Sequence, residues 1–355
     1  MSTAFSEIPI IDLSQADDES TKPDLLSSLR YALTEVGFLY VSNHDVPTTV
    51  VDGLVKILPT LFELEDKIKK SIALENSPHF LGYSDVGSEN TGGKVDRREQ
   101  FEFATELTAI WHSGLPLYER LRGPNQWPEG HTELRSTVEA YIHELTKLGE
   151  RFLDLVAQAL SLSPGTFQPF LSDQHRLKLV HYPALPVDDP AISQQGVGPH
   201  KDSSGWWTFL LQASPPEVKG LQVLNKAGDW VDVPVVPGTF VVNIGQAFEV
   251  VTNGACKATT HRVLSGPHER YSVPFFQGVR RNLTKAEAVG TLKGHFGALH
   301  TSLESEEGNA VDSAFLKGKY DTWGESQLRT KVRSHRDNGR KFYPEVYEQY
   351  ISDDV

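Results

Sequence analysis

Pro199-His200-Lys201-Asp202, then Thr260-His261-Arg262-Val263-Leu264, then Arg270-Tyr271-Ser272 are the stretches on which the reading of this chain turns. They lie in a region, from about residue 176, where hydrophobic residues come in short β-like runs. These are 176–182, 206–212, 221–224, 230–235, 239–244, 260–264 and 271–279. Pro183, Pro215-Pro216, Gly228-Asp229 and Pro237-Gly238 separate several of them. Seven or eight short strands at such intervals predict a jelly roll or a related barrel. The fold class expected is mainly β with flanking helices.

On a strand, residues i and i+2 face the same side. The spacing therefore predicts that His200 and Asp202 project together into the barrel lumen, with His261 joining them from a later strand. Two imidazoles and one carboxylate on one face of an ion leave three octahedral positions open. That suits Fe(II) binding a bidentate co-substrate and O2. Arg270 and Ser272 again share a face, and a guanidinium fork with a hydroxyl matches a buried carboxylate. The distal carboxylate of 2-oxoglutarate is the expected guest, with its keto-acid end on the metal. A bare His-x-Asp is weak by itself in a chain with 13 histidines. His335-Arg336-Asp337 is a second one, in a charged, helix-like segment, and is expected to be a solvated face.

Working outward, Leu25, Leu29, Leu33 and Val36 mark one helical face, with Gly37 where that helix would stop. Phe38-Leu39-Tyr40-Val41 reads as a buried strand. Val50, Leu54, Ile57 and Leu61 mark a second helix, with Pro59 as a kink. Leu134, Val138, Ile142, Leu145, Leu148, Phe152, Leu155 and Val156 mark a long third one. Residues 87–94, Gly-Ser-Glu-Asn-Thr-Gly-Gly-Lys, read as a mobile loop. The last forty or so residues return to polar, helical character.

The net charge is −13, from 34 Lys plus Arg against 47 Asp plus Glu. Such a chain repels phosphate backbones, so nucleic acid is not an expected partner. Cys256 is the only cysteine, which excludes an intrachain disulfide and a thiolate cluster and suits a reducing compartment. The amino terminus lacks the pattern of a secretory signal, no run approaches the length of a membrane span, and Ser352-Asp353-Asp354-Val355 matches no retention address. The expected location is the cytoplasm, without a membrane partner.

At these residues the sequence resembles the isopenicillin N synthase-like branch of the Fe(II)/2-oxoglutarate oxygenases. That branch includes plant flavonoid and gibberellin oxidases and 1-aminocyclopropane-1-carboxylate oxidase. The resemblance runs over roughly residues 8–300. It includes Ile8-Pro9-Ile10-Ile11-Asp12, Gly37-Phe38-Leu39-Tyr40-Val41-Ser42-Asn43-His44, Gly82-Tyr83, Glu99-Gln100-Phe101-Glu102-Phe103, Asn125-Gln126-Trp127-Pro128, Gly220-Leu221-Gln222-Val223 and Asn243-Ile244-Gly245. It implies a double-stranded β-helix core over 166–300, an N-terminal helical and strand region over 1–165 packing on it, and a C-terminal helical extension over 301–355. It also implies that His200, Asp202 and His261 hold iron, that Arg270 and Ser272 hold 2-oxoglutarate, and that Tyr182 helps. Val180 stands where plant members often carry asparagine. The stretch 202–208 is one residue longer than usual, and Gln246 replaces a frequent aspartate.

The expected activity is oxidation of a small organic molecule by hydroxylation, desaturation or ring formation, with release of succinate and CO2. Phe101, Phe103, Trp206 and Phe276 are the expected substrate wall, and their apolar character hints at a specialised metabolite. Two rivals remain at this point: a same-fold Fe(II) oxidase that does not consume 2-oxoglutarate, and a non-catalytic small-molecule binder.

Overall fold

The computed structural model describes residues 4–186, 194–203, 205–302, 311 and 313–353. Ser204, in the lengthened stretch 202–208, and the chain end at 354–355 lie outside the described residues.

Two sheets face each other. The larger has eight strands in the order Ile10–Asp12, Phe38–Ser42, Phe240–Ile244, Trp207–Gln212, Arg270–Phe276, Arg176–Tyr182, Glu99–Ala104 and Gly82–Ser84. Only its first pair is parallel. The smaller sheet is Trp230–Asp232, Leu221–Leu224, His261–Leu264 and Gln195–His200, all antiparallel. Together with the helices they make the expected jelly-roll core. Ile10–Asp12, Phe38–Ser42, Gly82–Ser84 and Glu99–Ala104 extend the larger sheet from the amino-terminal half.

Side-chain alternation divides the larger sheet into two chemistries. From the Arg176–Tyr182 strand, Leu177 and Leu179 turn to the helices, while Arg176, Lys178, Val180 and Tyr182 turn to the lumen. The helical side is covered by Lys22–Tyr31, Thr48–Phe62 and the 28-residue Thr132–Ala159. In the last, every residue of the predicted stripe from Leu134 to Val156 is buried. At about 25 cal/mol per Å² of apolar surface, such a stripe is the main force seating the helix. Pro59 lies inside Thr48–Phe62, in its last turn.

Gly37 caps its helix with φ +75°, and a Cβ there would lie 2.3 Å from the Lys257 carbonyl. Beside it, Thr259 Oγ1 donates to the Val36 carbonyl at 2.7 Å, which ties the helix end to the segment entering His261.

Three sequence expectations need correction. Gln195–His200 is a strand that the β-like runs leave out, because Gly196, Gly198 and Pro199 are poor strand formers, and it stops at His200, short of Asp202. Residues 87–94 are not a free loop. Asn90–Thr91 and Lys94–Val95 form a hairpin across Gly92 and Gly93, both at positive φ, and Gln195 Nε2 donates to the Thr91 and Lys94 carbonyls at 3.1 Å. His335 is no solvated residue. Its side chain is 13% exposed, its ring lies tilted 5.8 Å from that of Phe80, and burial pushes it down to about 4, whereas Asp337 is exposed.

Candidate active site

The lumen holds a cavity of about 280 Å³ lined from both sheets. His200 is the last residue of its strand, and the antiparallel register sets it directly opposite His261, with ring centroids 4.3 Å apart. Asp202 lies two residues beyond the strand end, so strand alternation does not orient it, contrary to the sequence expectation. It is turned inward by its own bonds instead. Thr208 Oγ1 and Asn243 Nδ2 donate to Oδ2 at 2.6 and 2.7 Å, and the Gln246 amide donates to its carbonyl at 2.8 Å. The other oxygen, Oδ1, is 3.6 Å from Nε2 of each histidine. All three potential ligand atoms lie within 4.8 Å of one another.

The tautomers follow from partners. The Nδ1 of His200 lies 2.8 Å from the Gly198 carbonyl and that of His261 lies 3.2 Å from the Thr259 carbonyl. A carbonyl only accepts, so each Nδ1 carries a hydrogen, and Nε2 is the ring atom turned to offer its lone pair to the centre. Burial, aided by neighbouring His200, pushes His261 down to about 4, so its ring is neutral. Burial pushes Asp202 up, but bonds and charge from His200, His261 and Thr208 outweigh it and hold the carboxyl below the usual carboxylate range. Two imidazoles and one carboxylate, each braced from behind, are a donor set that fits a divalent iron ion.

Further along the lumen, Arg270 is buried and pairs in register with Tyr182, whose ring centre is 5.0 Å from the guanidinium carbon. Arg270 Nη2 donates to Gln212 Oε1 at 3.2 Å, while the buried Nη1 has no partner among the described residues. Ser272, two residues on, lines the same cavity, as do Val180, Val197, Leu210, Leu221 and Val263. A buried guanidinium with an orphaned nitrogen in an apolar sleeve fits a carboxylate guest.

The expected wall needs correction. Phe276 lines the cavity. Phe101 and Phe103 do not; they face the helices, packed on Phe62, Tyr83 and Trp127. Trp206 is fully buried behind the cavity and stacks on Phe170 at 5.5 Å. The reason is alternation. The lumen side of Glu99–Ala104 carries Glu102, opposite Lys178, and the phenylalanines take the other side. Sequence reasoning also missed Arg98, Glu102, Arg176, Lys178, Gln327 and Lys331, which make the outer wall polar and charged. Trp323, Gln327 and Lys331 share one face of the Trp323–Ser334 helix at intervals of four, a signal present in the sequence.

A jelly roll with two histidines and an aspartate converging beside a buried arginine defines the class of mononuclear non-haem oxygenases, and the comparisons with known proteins agree. Residues 8–130 match the family described as the N-terminal part of non-haem dioxygenase in morphine synthesis, and residues 174–279 match the 2OG-Fe(II) oxygenase superfamily. A 2-oxoglutarate-dependent dioxygenase, frbJ, of Dothideomycetidae sp. (strain 11243) is 41% identical over 97% of this chain and 94% of its own. A putative 2OG-Fe(II) oxygenase family protein from Caulobacter crescentus has a TM-score of 0.72 at 25% identity, covering 93% of this chain and 99% of that one. JOX2, solved with 2OG, Fe and JA, has a TM-score of 0.62 at 26% identity, covering 78% of this chain and 76% of that one. The chain belongs to the 2OG-Fe(II) oxygenase superfamily, as a dioxygenase that uses Fe(II), 2-oxoglutarate and O2 on a small molecule.

Proposed function

We propose that His200 Nε2, Asp202 Oδ1 and His261 Nε2 hold Fe(II), and that Arg270, with Ser272 and Tyr182 beside it, binds the far carboxylate of 2-oxoglutarate. One observation carries this reading: three inward donor atoms share a cavity with a buried guanidinium whose Nη1 has no described partner. Bound there, iron supplies the activation of O2 that is coupled to conversion of 2-oxoglutarate to succinate and CO2.

The chain's own residues prepare the site. The Gly198 and Thr259 carbonyls fix the imidazole tautomers, and Thr208 with Asn243 restrains Asp202 to a single free oxygen. Val180, Val197, Leu210, Leu221 and Val263 keep water from Arg270, which strengthens its attraction for a carboxylate. Gln212, whose Nε2 donates to the Val233 and Pro234 carbonyls, is fixed so that its oxygen meets Arg270. The substrate approaches from the opposite end, past Phe276 and the charged wall, and is oxidised at a carbon held near the three ligands.

We also place the protein in the cytoplasm. Cys256 is buried and unpaired, and Fe(II) stays reduced most readily in such a compartment. No helix among the described residues is long and apolar enough to cross a membrane.

Anaerobic titration of the full chain with Mn(II) and 2-oxoglutarate separates the two half-sites. Asp202→Ala should abolish metal binding. Arg270→Leu should keep the metal and weaken 2-oxoglutarate by about a hundred-fold or more, the consequence of depriving a buried carboxylate of its charged partner. Unchanged 2-oxoglutarate affinity in Arg270→Leu sinks the assignment.

A further inference from the structure

The lumen carries a second group of cations besides Arg270. Along the Arg176–Tyr182 strand, Lys178 lies four residues from Tyr182, which pairs with Arg270. At the rise of a strand that is roughly 13 Å, beyond the reach of the 2-oxoglutarate molecule anchored on Arg270. Arg98, Arg176, Lys178 and Lys331 line the cavity at this end.

Their counter-charges are Glu89, Asp96 and Glu102, one fewer than the cations. Arg98 is committed to Glu89 and Asp96. Arg176 donates to Glu102 at 2.7 Å and to the Phe80 and His79 carbonyls at 3.0 and 2.9 Å. Lys331 gives Glu102 one bond of 3.0 Å. Lys178 differs. Its Nζ is 3.7 Å from Glu102 and 3.8 Å from Glu89, close enough for attraction but too far for a hydrogen bond. No described residue takes any of its three donors. Burial, with Arg176 and Lys178 nearby, pushes Lys331 down to about 8 against the pull of Glu102.

These lysines stand at a throat. An outer cavity of about 670 Å³ shares Glu102, Lys178, Ser203, Gln327 and Lys331 with the inner one. A molecule entering from that side passes Lys178 and Lys331, which line both cavities, before it reaches His200, Asp202 and His261. A cationic group there meets like charge, and a group without an acceptor leaves Lys178 without a hydrogen bond to any described residue.

Resting on the reading of the site given above, we propose that the substrate carries a carboxylate, received by Lys178 and Lys331 at this throat while its reacting carbon extends inward. Glu102 is a positioning residue: it holds Lys331 and Arg176 and spaces the two ammonium groups.

The test uses the full chain loaded anaerobically with Mn(II) and 2-oxoglutarate. Paired probes differ only in charge: hexanoate and hexanamide, phenylacetate and phenylacetamide, 4-phenylbutyrate and 4-phenylbutyramide. Binding is read by tryptophan fluorescence, for which Trp323 in the cavity wall is the reporter. At least one acid should bind more tightly than its amide. Lys178→Met and Lys331→Met should each weaken that acid by roughly ten- to a hundred-fold, the effect of losing one charge-assisted hydrogen bond. Circular dichroism of each variant checks that it is folded, and Lys178→Gln serves as a second variant if Met fails. Acids and amides binding alike across the panel would overturn the proposal. So would an acid preference that survives at both lysines. Failure of 2-oxoglutarate to bind the wild-type protein would instead sink the cofactor reading, and the acid–amide comparison can still be made without it.

Discussion

At the inner end of the cavity a single guanidinium, Arg270, sits among valines and leucines with one nitrogen unpartnered. At the outer end four cations interlock with Glu89, Asp96 and Glu102. Both ends are positive, but they are built differently. The inner charge has no counter-ion among the described residues, so the fold bears a desolvation cost that a carboxylate guest relieves. The outer charges are largely neutralised by the chain itself; Lys331 gives one donor to Glu102, and Lys178 gives none to any described residue. The first arrangement suits a site that takes one fixed co-substrate. The second suits a site that must stand open and ordered while different molecules pass.

The largest effect expected is on the centre between the two ends. Asp202→Ala removes the one anionic ligand and should reduce succinate formation by several orders of magnitude, measured by mass spectrometry with saturating Fe(II). Failure of the variant to lose turnover would break the comparison at its midpoint.

Next comes stability, where the two ends should respond with opposite signs. Glu102→Gln leaves Arg176, Lys178 and Lys331 without their buried counter-charge and should cost about 3 kcal/mol in denaturant unfolding. Arg270→Leu removes a buried charge with no counter-ion among the described residues and should raise the stability of the ligand-free protein by about 1 kcal/mol. Adding 2-oxoglutarate at a hundred times its Kd should then stabilise the wild type by about 2.7 kcal/mol and leave Arg270→Leu unmoved. Losses of equal size at both ends would show that Arg270 has a counter-ion after all.

The inner end was far more legible in the sequence than the outer. His200, Asp202, His261, Arg270 and Ser272 stand out because metal ligation and carboxylate binding demand particular residue types at short spacings. The structure brings all five to one cavity. The helix Thr132–Ala159 was equally readable, since its apolar stripe has one period over seven turns. The outer wall was not. Hydrophobicity marks Phe101, Phe103 and Trp206 as buried but does not say on which face, and the helical core claimed them. Lys178, Glu102 and Lys331 look like solvated residues until they are placed. The alternation Arg176, Lys178, Val180, Tyr182 held the clue, because setting Tyr182 in the lumen sets Lys178 there too. The Gln195–His200 strand was hidden by its glycines, and the inward turn of Asp202 depends on Thr208 and Asn243, which no local pattern announces.

The smallest expected effect is a pH dependence confined to the outer end. Lys331 faces Glu102, Arg176 and Lys178, with Glu89 and His335 behind them. His335, at about 4, is neutral throughout the working range, and Glu102 is held far below it by Lys331, Lys178 and Arg176 despite its burial. Lys331, at about 8, is therefore the group that changes charge. It is protonated below that value and neutral above it, so affinity for an acid probe should be level below about 8 and decline above it. A bound anion favours the protonated lysine, which moves the break in the complex upward. The amide probe and 2-oxoglutarate should show no such break, and Lys331→Met should remove it from the acid profile. A break that persists in Lys331→Met would assign the titration to another group and weaken the contrast between the two ends.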